Sequence, residues 1–207
     1  MEDCLVLVDN GFFKLVKKEF ENKTKKPKKF LQTFRNICIQ ENFNLKHLFI
    51  YMAPPFQSRI PTEEENSRKS KYDQIKRMLD SKNWATVREG RCQRIFDEKG
   101  NVSFNQKGVD SWIVADLCLF KEDFQEVNKV ILISSDSDFA PIIEMIQEKK
   151  KIEVVLYTYF ENKRKGKFHR SNHLIKSCFR YKKLKPEDFE DSKDNLNNKE
   201  NKNKEIK

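Results

Sequence analysis

The chain has 207 residues, a formal net charge of +10 and 17 phenylalanines, enough apolar material for one well-filled domain. Its five cysteines (Cys4, Cys38, Cys92, Cys118 and Cys178) are scattered without CxxC pairs, which excludes a zinc finger and a disulfide framework. No signal-peptide pattern or membrane-length apolar run occurs, so the expectation is a soluble cytoplasmic protein.

The positive excess resides in the body of the chain, because the stretch from Lys185 onward carries 6 basic and 7 acidic residues. Such a body favours a polyanionic partner such as nucleic acid or anionic lipid, with solubility alone as the plainer explanation.

Cys4 to Val8 is a continuous apolar run ending in Asp9-Asn10-Gly11. An unbroken run, rather than an alternating one, predicts a strand buried on both faces, as in a parallel sheet. Phe12 to Phe20 is read as the first helix, and Asn22 to Lys29 as a basic break containing Pro27. A second helix is expected from Phe30 to about Asn42, and a second strand over Leu48 to Ala53, stopped by Pro54-Pro55.

Tyr72, Ile75 and Leu79 give the next helix its apolar stripe. Trp84 to Arg88 and Cys92 to Phe96 predict short strands, and Asp97 to Asn101 a hairpin turn before Val102 to Phe104. Val109 to Phe120 is apolar on most sides and predicts a deeply buried helix. Asn128 to Ser134 is a strand, Phe139 to Glu148 a helix, Ile152 to Thr158 a strand, and Asn172 to Ser177 a short helix. Phe179 to Tyr181 is read as an edge strand. The expected organisation is one domain over 1–184 and a disordered Lys/Asn/acidic tail over 185–207.

Strands alternating with helices predict an α/β fold with a mainly parallel sheet, whose ligands collect beyond the carboxyl ends of the strands. Asp9 and Asp136 both fall at such ends, and Asp138 lies two residues after Asp136. Asp110 opens a helix, and Asp116 follows six positions on, about 9 Å along the axis and about 120° around it. Converging carboxylates repel one another unless a cation neutralises them or their pKa values rise. An all-oxygen set suits Mg²⁺ or Mn²⁺, which can polarise a phosphate and activate water. Each acid alone has a plainer explanation, since Asp is common as a helix N-cap or first-turn dipole partner.

Leu7-Val8-Asp9-Asn10-Gly11, Gln106-Lys107-Gly108-Val109-Asp110 and Leu132-Ile133-Ser134-Ser135-Asp136-Ser137-Asp138-Phe139-Ala140-Pro141 form three ordered blocks. On these blocks the chain resembles the NYN domain family, in the LabA-like branch of the PIN-like nuclease superfamily, over roughly residues 3 to 182. The resemblance implies a PIN-like Rossmannoid three-layer fold, a mainly parallel central sheet flanked by helices, and a Mg²⁺- or Mn²⁺-dependent ribonuclease. It assigns metal binding to Asp9, Asp110, Asp136 and Asp138, and adds Asp116 to the catalytic acids. Ser135 stands where the family usually has glycine before the first aspartate of the third block.

For the substrate, Asn10, Lys107, Arg88, Arg91 and Arg94 are the expected nucleic-acid-binding residues, with RNA the leading partner and DNA the alternative. Basic clusters at Lys17-Lys18, Lys23 to Lys29, Arg68 to Lys76 and Lys163 to Arg170 add to the positive surface, and Tyr51 is a candidate for base stacking. Monomer and homodimer both fit the sequence. The competing reading is a non-catalytic RNA-binding or scaffold protein with the same fold. A HAD-type phosphatase is disfavoured, because no second aspartate follows Asp9 at two residues' distance.

Overall fold

A computed structural model describes residues 1–26, 29–161 and 167–190. Six strands form one fully parallel sheet in the order β3-β2-β1-β6-β7-β8, and β4 and β5 form a separate antiparallel ribbon. The strands of the main sheet are β1 (Glu2–Asp9), β2 (Phe43–Met52), β3 (Ala85–Glu89), β6 (Lys129–Ile133), β7 (Glu153–Thr158) and β8 (Arg180–Lys183). The ribbon is β4 (Arg91–Phe96) with β5 (Val102–Lys107).

Successive strand residues point to opposite faces, so a strand covered on both sides must be apolar at every position. In β1, Cys4, Val6 and Val8 enter one core while Leu5 and Leu7 enter the other. The first core lies under α1 (Asn10–Thr24), α2 (Phe30–Gln40) and α3 (Glu63–Asp80). The second lies under α4 (Val109–Leu119), α5 (Ala140–Lys150) and α6 (Asn172–Ser177). The result is the three-layer α/β architecture expected from the alternating elements.

From β1 the chain moves to β2 and β3 on one side, then returns to lay β6, β7 and β8 on the other. β1 and β6 are therefore neighbours whose outgoing connections leave on opposite faces. Between their carboxyl ends lies the crevice where open parallel sheets bind ligands.

Two expectations need correction. The helix now seen as α4 is not buried all round: Val109, Ile113, Asp116 and Leu117 face the sheet, while Trp112 and Leu119 are exposed. A helix on an outer layer has only one face to bury, whatever its composition. The chain beyond Lys185 also does not leave the body at once. Pro186–Phe189 forms a 3-10 turn whose Phe189 is fully buried against Phe13 and Phe20. One aromatic residue with a matching hole was enough to hold a segment that composition marks as polar. Residues 191–207 of the expected tail lie outside the described residues.

Candidate active site

Asp9 ends β1 in the position that alternation turns toward the α4 layer. Its carboxylate caps α1, accepting from the Phe12 amide at 3.2 Å, and also accepts from the Ser134 hydroxyl at 3.2 Å. Parallel register explains the second bond: Val8 is opposite Ile133, so the next residues, Asp9 and Ser134, meet at the strand ends. Ser134 is fully buried, and its oxygen accepts from the Asp136 amide at 3.2 Å. One serine thus ties both acidic strand ends together. The break from four aliphatic residues, Val130 to Ile133, to a buried serine was the available sequence signal.

Asp136 caps the following turn through Oδ1, which accepts from the Asp138 amide at 2.9 Å. Asp138 is exposed in the 3-10 turn Ser137–Phe139, and Phe139 is buried beneath it. Asp110 stands in the first turn of α4, after Gly108 at φ 80°, a left-handed conformation that glycine adopts without steric cost.

These acids share one electrostatic environment. Withdrawal from water raises the Asp9 carboxyl above the ordinary range, against the bonds from Phe12 and Ser134, and the Asp110 charge raises it further. Asp110 is likewise raised, first by partial desolvation and then by Asp136 and Asp138. Asp110 thus lies within electrostatic reach of Asp9 on one side and of Asp136 and Asp138 on the other. Among the described residues none of them is ion-paired to a cation.

The donor set suits a hard divalent cation, because it is all oxygen and its acids have no ion-pair partner among the described residues. Among the described residues, no three His, Cys, Asp or Glu side chains stand close enough to form a ligand shell directly. Both facts are compatible with a cation such as Mg²⁺, which retains waters and takes only one or two carboxylates. By chemistry the residues fit such an ion, with part of its shell supplied by water or by the substrate phosphate.

Asp116 does not join this group. Its carboxylate accepts two bonds from Arg88, at 3.0 and 2.9 Å, and one from the Tyr51 hydroxyl at 2.9 Å. Six residues of helical rotation carry it from the cleft to the flank facing β2 and β3. The same bonds occupy Arg88, whose guanidinium also lies over Phe49 and Trp112. Arg88 and Asp116 are each other's partners, so neither the expected nucleic-acid contact of Arg88 nor the expected catalytic role of Asp116 has a free side chain to serve it. Tyr51 is fully buried and has no face open to a base.

Asn10 is also turned inward, 1% exposed, with its amide nitrogen 3.5 Å from the Met52 sulfur. Its Oδ1 is the one buried side-chain atom among the described residues that lacks a hydrogen-bond partner. The expected contact from Asn10 to nucleic acid therefore has no open route. Arg91, Arg94 and Lys107, by contrast, are exposed on the ribbon beside the cleft.

The ribbon is locked to the cleft at its base. Gly90 donates to the Met52 carbonyl at 2.9 Å, and a Cβ there would lie 2.5 Å from the Lys107 carbonyl oxygen. Only glycine permits β4 and the entrance to α4 to pass so closely. A Cβ on Gly11 would lie 3.2 Å from Asp9 Oδ1 and 3.9 Å from Gln106 Oε1. Gln106 thus overhangs the acidic cleft, a position that its place at the end of a short strand did not reveal.

Several basic clusters are balanced by acids of their own helix or of the adjacent strand. Lys17 pairs with Glu21 at 2.5 Å, Arg68 with Glu64 at 2.8 Å, and Lys69 with Asp73. Lys76 lies 3.6 Å from Asp80 and 2.8 Å from Glu89. Pro27 and Lys28, and the part of the last basic loop over 162–166, lie outside the described residues.

Residues 4–184 match the NYN domain. The chain belongs to the NYN family. That family falls within the PIN-like nuclease superfamily, consistent with the parallel sheet and its acidic crevice. No curated protein sequence matches the chain. Among solved structures, a protein of unknown function from Vibrio parahaemolyticus RIMD 2210633 is similar in fold, with a TM-score of 0.54 and 19% identity. The alignment covers 91% of this chain and 95% of the Vibrio chain. Among the described residues of this NYN protein, no helix is long and apolar enough to cross a membrane.

Proposed function

We propose that this NYN protein is a Mg²⁺- or Mn²⁺-dependent ribonuclease of the LabA-like branch that hydrolyses RNA phosphodiester bonds in the crevice between β1 and β6. The observation that carries the reading is the placement of Asp9 and Asp136 at the adjacent carboxyl ends of β1 and β6, joined by Ser134 at the sheet's topological switch point, with Asp110 and Asp138 near and no ion pair to any of the four among the described residues.

In this reading one or two carboxylates of the Asp110, Asp136 and Asp138 set would bind the ion directly, and the remaining acids, Asp9 among them, would hold its waters. The bound ion would polarise the scissile phosphate and lower the pKa of a water nucleophile. Ser134 fixes the Asp9 carboxylate by donating to it and fixes the Asp136 backbone by accepting from it. The cap to Phe12 restrains Asp9 further, so its oxygens need little reorganisation when substrate arrives. Lys107 precedes the α4 entrance and carries a positive charge to the cleft rim for a phosphate oxygen.

A second reading, an RNA-binding protein without hydrolysis, draws support from the use of Asp9 and Asp136 as helix and turn caps. One assay separates the two. End-labelled RNA is incubated with wild type and Asp136→Asn in Mg²⁺, Mn²⁺ or EDTA. The nuclease reading expects metal-dependent cleavage that falls on the order of 10²-fold or more in the variant. Cleavage that survives both EDTA and the substitution would sink it. Binding with no cleavage in any metal establishes the second reading.

A further inference from the structure

The β4–β5 ribbon is exposed on both faces, yet it is far from uniformly polar. Phe96 is 57% exposed, Phe104 50% and Val102 48%. Two-stranded ribbons are marginal alone in water, and exposing aromatics on one adds nothing to its stability. The cross-strand pairs Cys92–Gln106, Arg94–Phe104 and Phe96–Val102 alternate with pairs that point the other way. Those six side chains therefore share one face.

Three observations say what this face is built to meet. Arg94 lies 5.1 Å from the ring centre of Phe56 and 4.8 Å from that of Phe96, and Phe56 lies 5.4 Å from Phe104. Aromatic rings and a guanidinium plane are thus grouped before any ligand arrives. The same face also carries Gln106, which stands over Gly11 and Asp9. The row consequently runs from the ribbon tip into the acidic crevice without changing face. The charge is of the matching sign as well. Arg94 is the one charged side chain among the six on this face, and Asp97 at the ribbon tip is occupied by the turn, accepting from the Lys99 and Asn101 amides at 2.9 and 2.8 Å.

We propose that the Phe96/Phe104/Phe56/Arg94 face of the β4–β5 ribbon is a stacking platform that grips single-stranded RNA and feeds it past Gln106 into the acidic crevice. This rests on the nuclease reading only for the destination of the strand. Stacking on aromatic side chains and Arg planes is how unpaired bases are held, and it tolerates any base because every base has a π-face. A duplex keeps its bases stacked on each other and offers this surface nothing but phosphate. Arg91 and Lys107 are cross-strand partners at the ribbon base and point to its opposite face, so Arg94 is the cation that the platform itself offers the strand.

The test measures binding apart from hydrolysis. The full chain and its Phe96→Ala/Phe104→Ala variant are titrated in EDTA against fluorescein-labelled oligouridylate of about 12 nucleotides and against an RNA duplex of the same length. Both positions are exposed on the ribbon and outside the two cores, so melting temperature should be unchanged. The platform predicts that the variant's Kd for the single strand rises about tenfold or more, that the duplex Kd moves far less, and that Phe96→Trp retains binding. An unchanged single-strand Kd overturns it, and so does an equal loss for both RNAs. A wild-type dimer in sedimentation that the variant disperses, with RNA affinity unchanged, also overturns it and makes the face a contact between two copies. The two proposals fail separately. Weakened binding in the variant with no cleavage by wild type under any metal removes only the nuclease reading, whereas normal cleavage and unchanged affinity remove only the platform.

Discussion

Asp110 and Asp116 lie on one helix, yet the fold treats their charges in opposite ways. Asp116 is buried and answered by both nitrogens of a forked Arg88 contact and by the Tyr51 hydroxyl. Asp110 faces the crevice, where the charges acting on it come from Asp136 and Asp138. Glu41 repeats the first pattern in the α1–α2 layer. Burial pushes its carboxyl up, but the bonds from Lys182 and Tyr157 and the Lys182 and Arg180 charges outweigh that and hold it below the ordinary value. Asp116 and Glu41 are thus paired with cations of neighbouring elements, whereas among the described residues the crevice acids have no ion-pair partner. Uncompensated charge that persists in a folded protein marks a place where an external cation would act.

The sharpest way to break this contrast is to neutralise each acid on α4. Asp116→Asn should cost about 2–4 kcal/mol of stability by leaving Arg88 against an unmatched amide, read as a lowered midpoint in urea. Asp110→Asn should leave folding intact and abolish cleavage. If Asp110→Asn unfolds the protein while Asp116→Asn does not, the assignment of the two acids is reversed.

Cation binding gives a somewhat smaller effect. Mg²⁺ or Mn²⁺ at about 100 times its Kd should stabilise wild type by about 2.7 kcal/mol through binding to the native state. Differential scanning calorimetry of wild type and Asp110→Asn, with and without metal, should show that rise in wild type only. In EDTA the order reverses. The Asp110 carboxyl is raised on folding, so its charged form disfavours the native state at neutral pH, and removing the charge should raise the melting temperature slightly.

The acid limb of stability should separate the two regions with opposite signs. The Glu41 carboxyl is held low in the folded state, so its contribution is present above the unfolded carboxylate range and is lost as pH falls through the lower folded value. Asp9 and Asp110 are raised, so their unfavourable contribution is relieved as pH falls through their folded values. Glu41→Gln should cost about 1–3 kcal/mol at neutral pH and flatten the loss of stability in acid, measured by urea unfolding across pH. An unchanged acid limb would mean that the Lys182 and Arg180 contacts are too solvated to matter.

Much of the fold was legible because burial on two faces forces a strand to be apolar throughout. β1, β6 and β7 announce themselves in this way, and the carboxyl ends of two of them carry the crevice acids. Asp9, Asp136 and Asp138 could be placed at one edge of a sheet from chain order alone. The clearest errors came where a residue's role depends on what another element brings to it. Asp116 resembled a fifth crevice acid until Arg88 from β3 and Tyr51 from β2 claimed it. Asn10 follows a strand like a ligand-facing residue, yet packing turned it inward.

What the sequence by itself determined is therefore the architecture and the chemical inventory: a parallel α/β sheet, acids at its strand ends and a basic surface. Periodicity and local turn chemistry are properties of neighbouring residues and survive in a one-dimensional reading. Only the tertiary structure decided which charges are spent on one another and which remain unanswered. It also decided that Ser134 joins Asp9 to Asp136, that Gln106 overhangs the cleft, and that Phe189 belongs to the core. Those outcomes are set by registers and close approaches between segments distant in the chain, including a glycine at position 90 that lets two backbones pass where no side chain would fit.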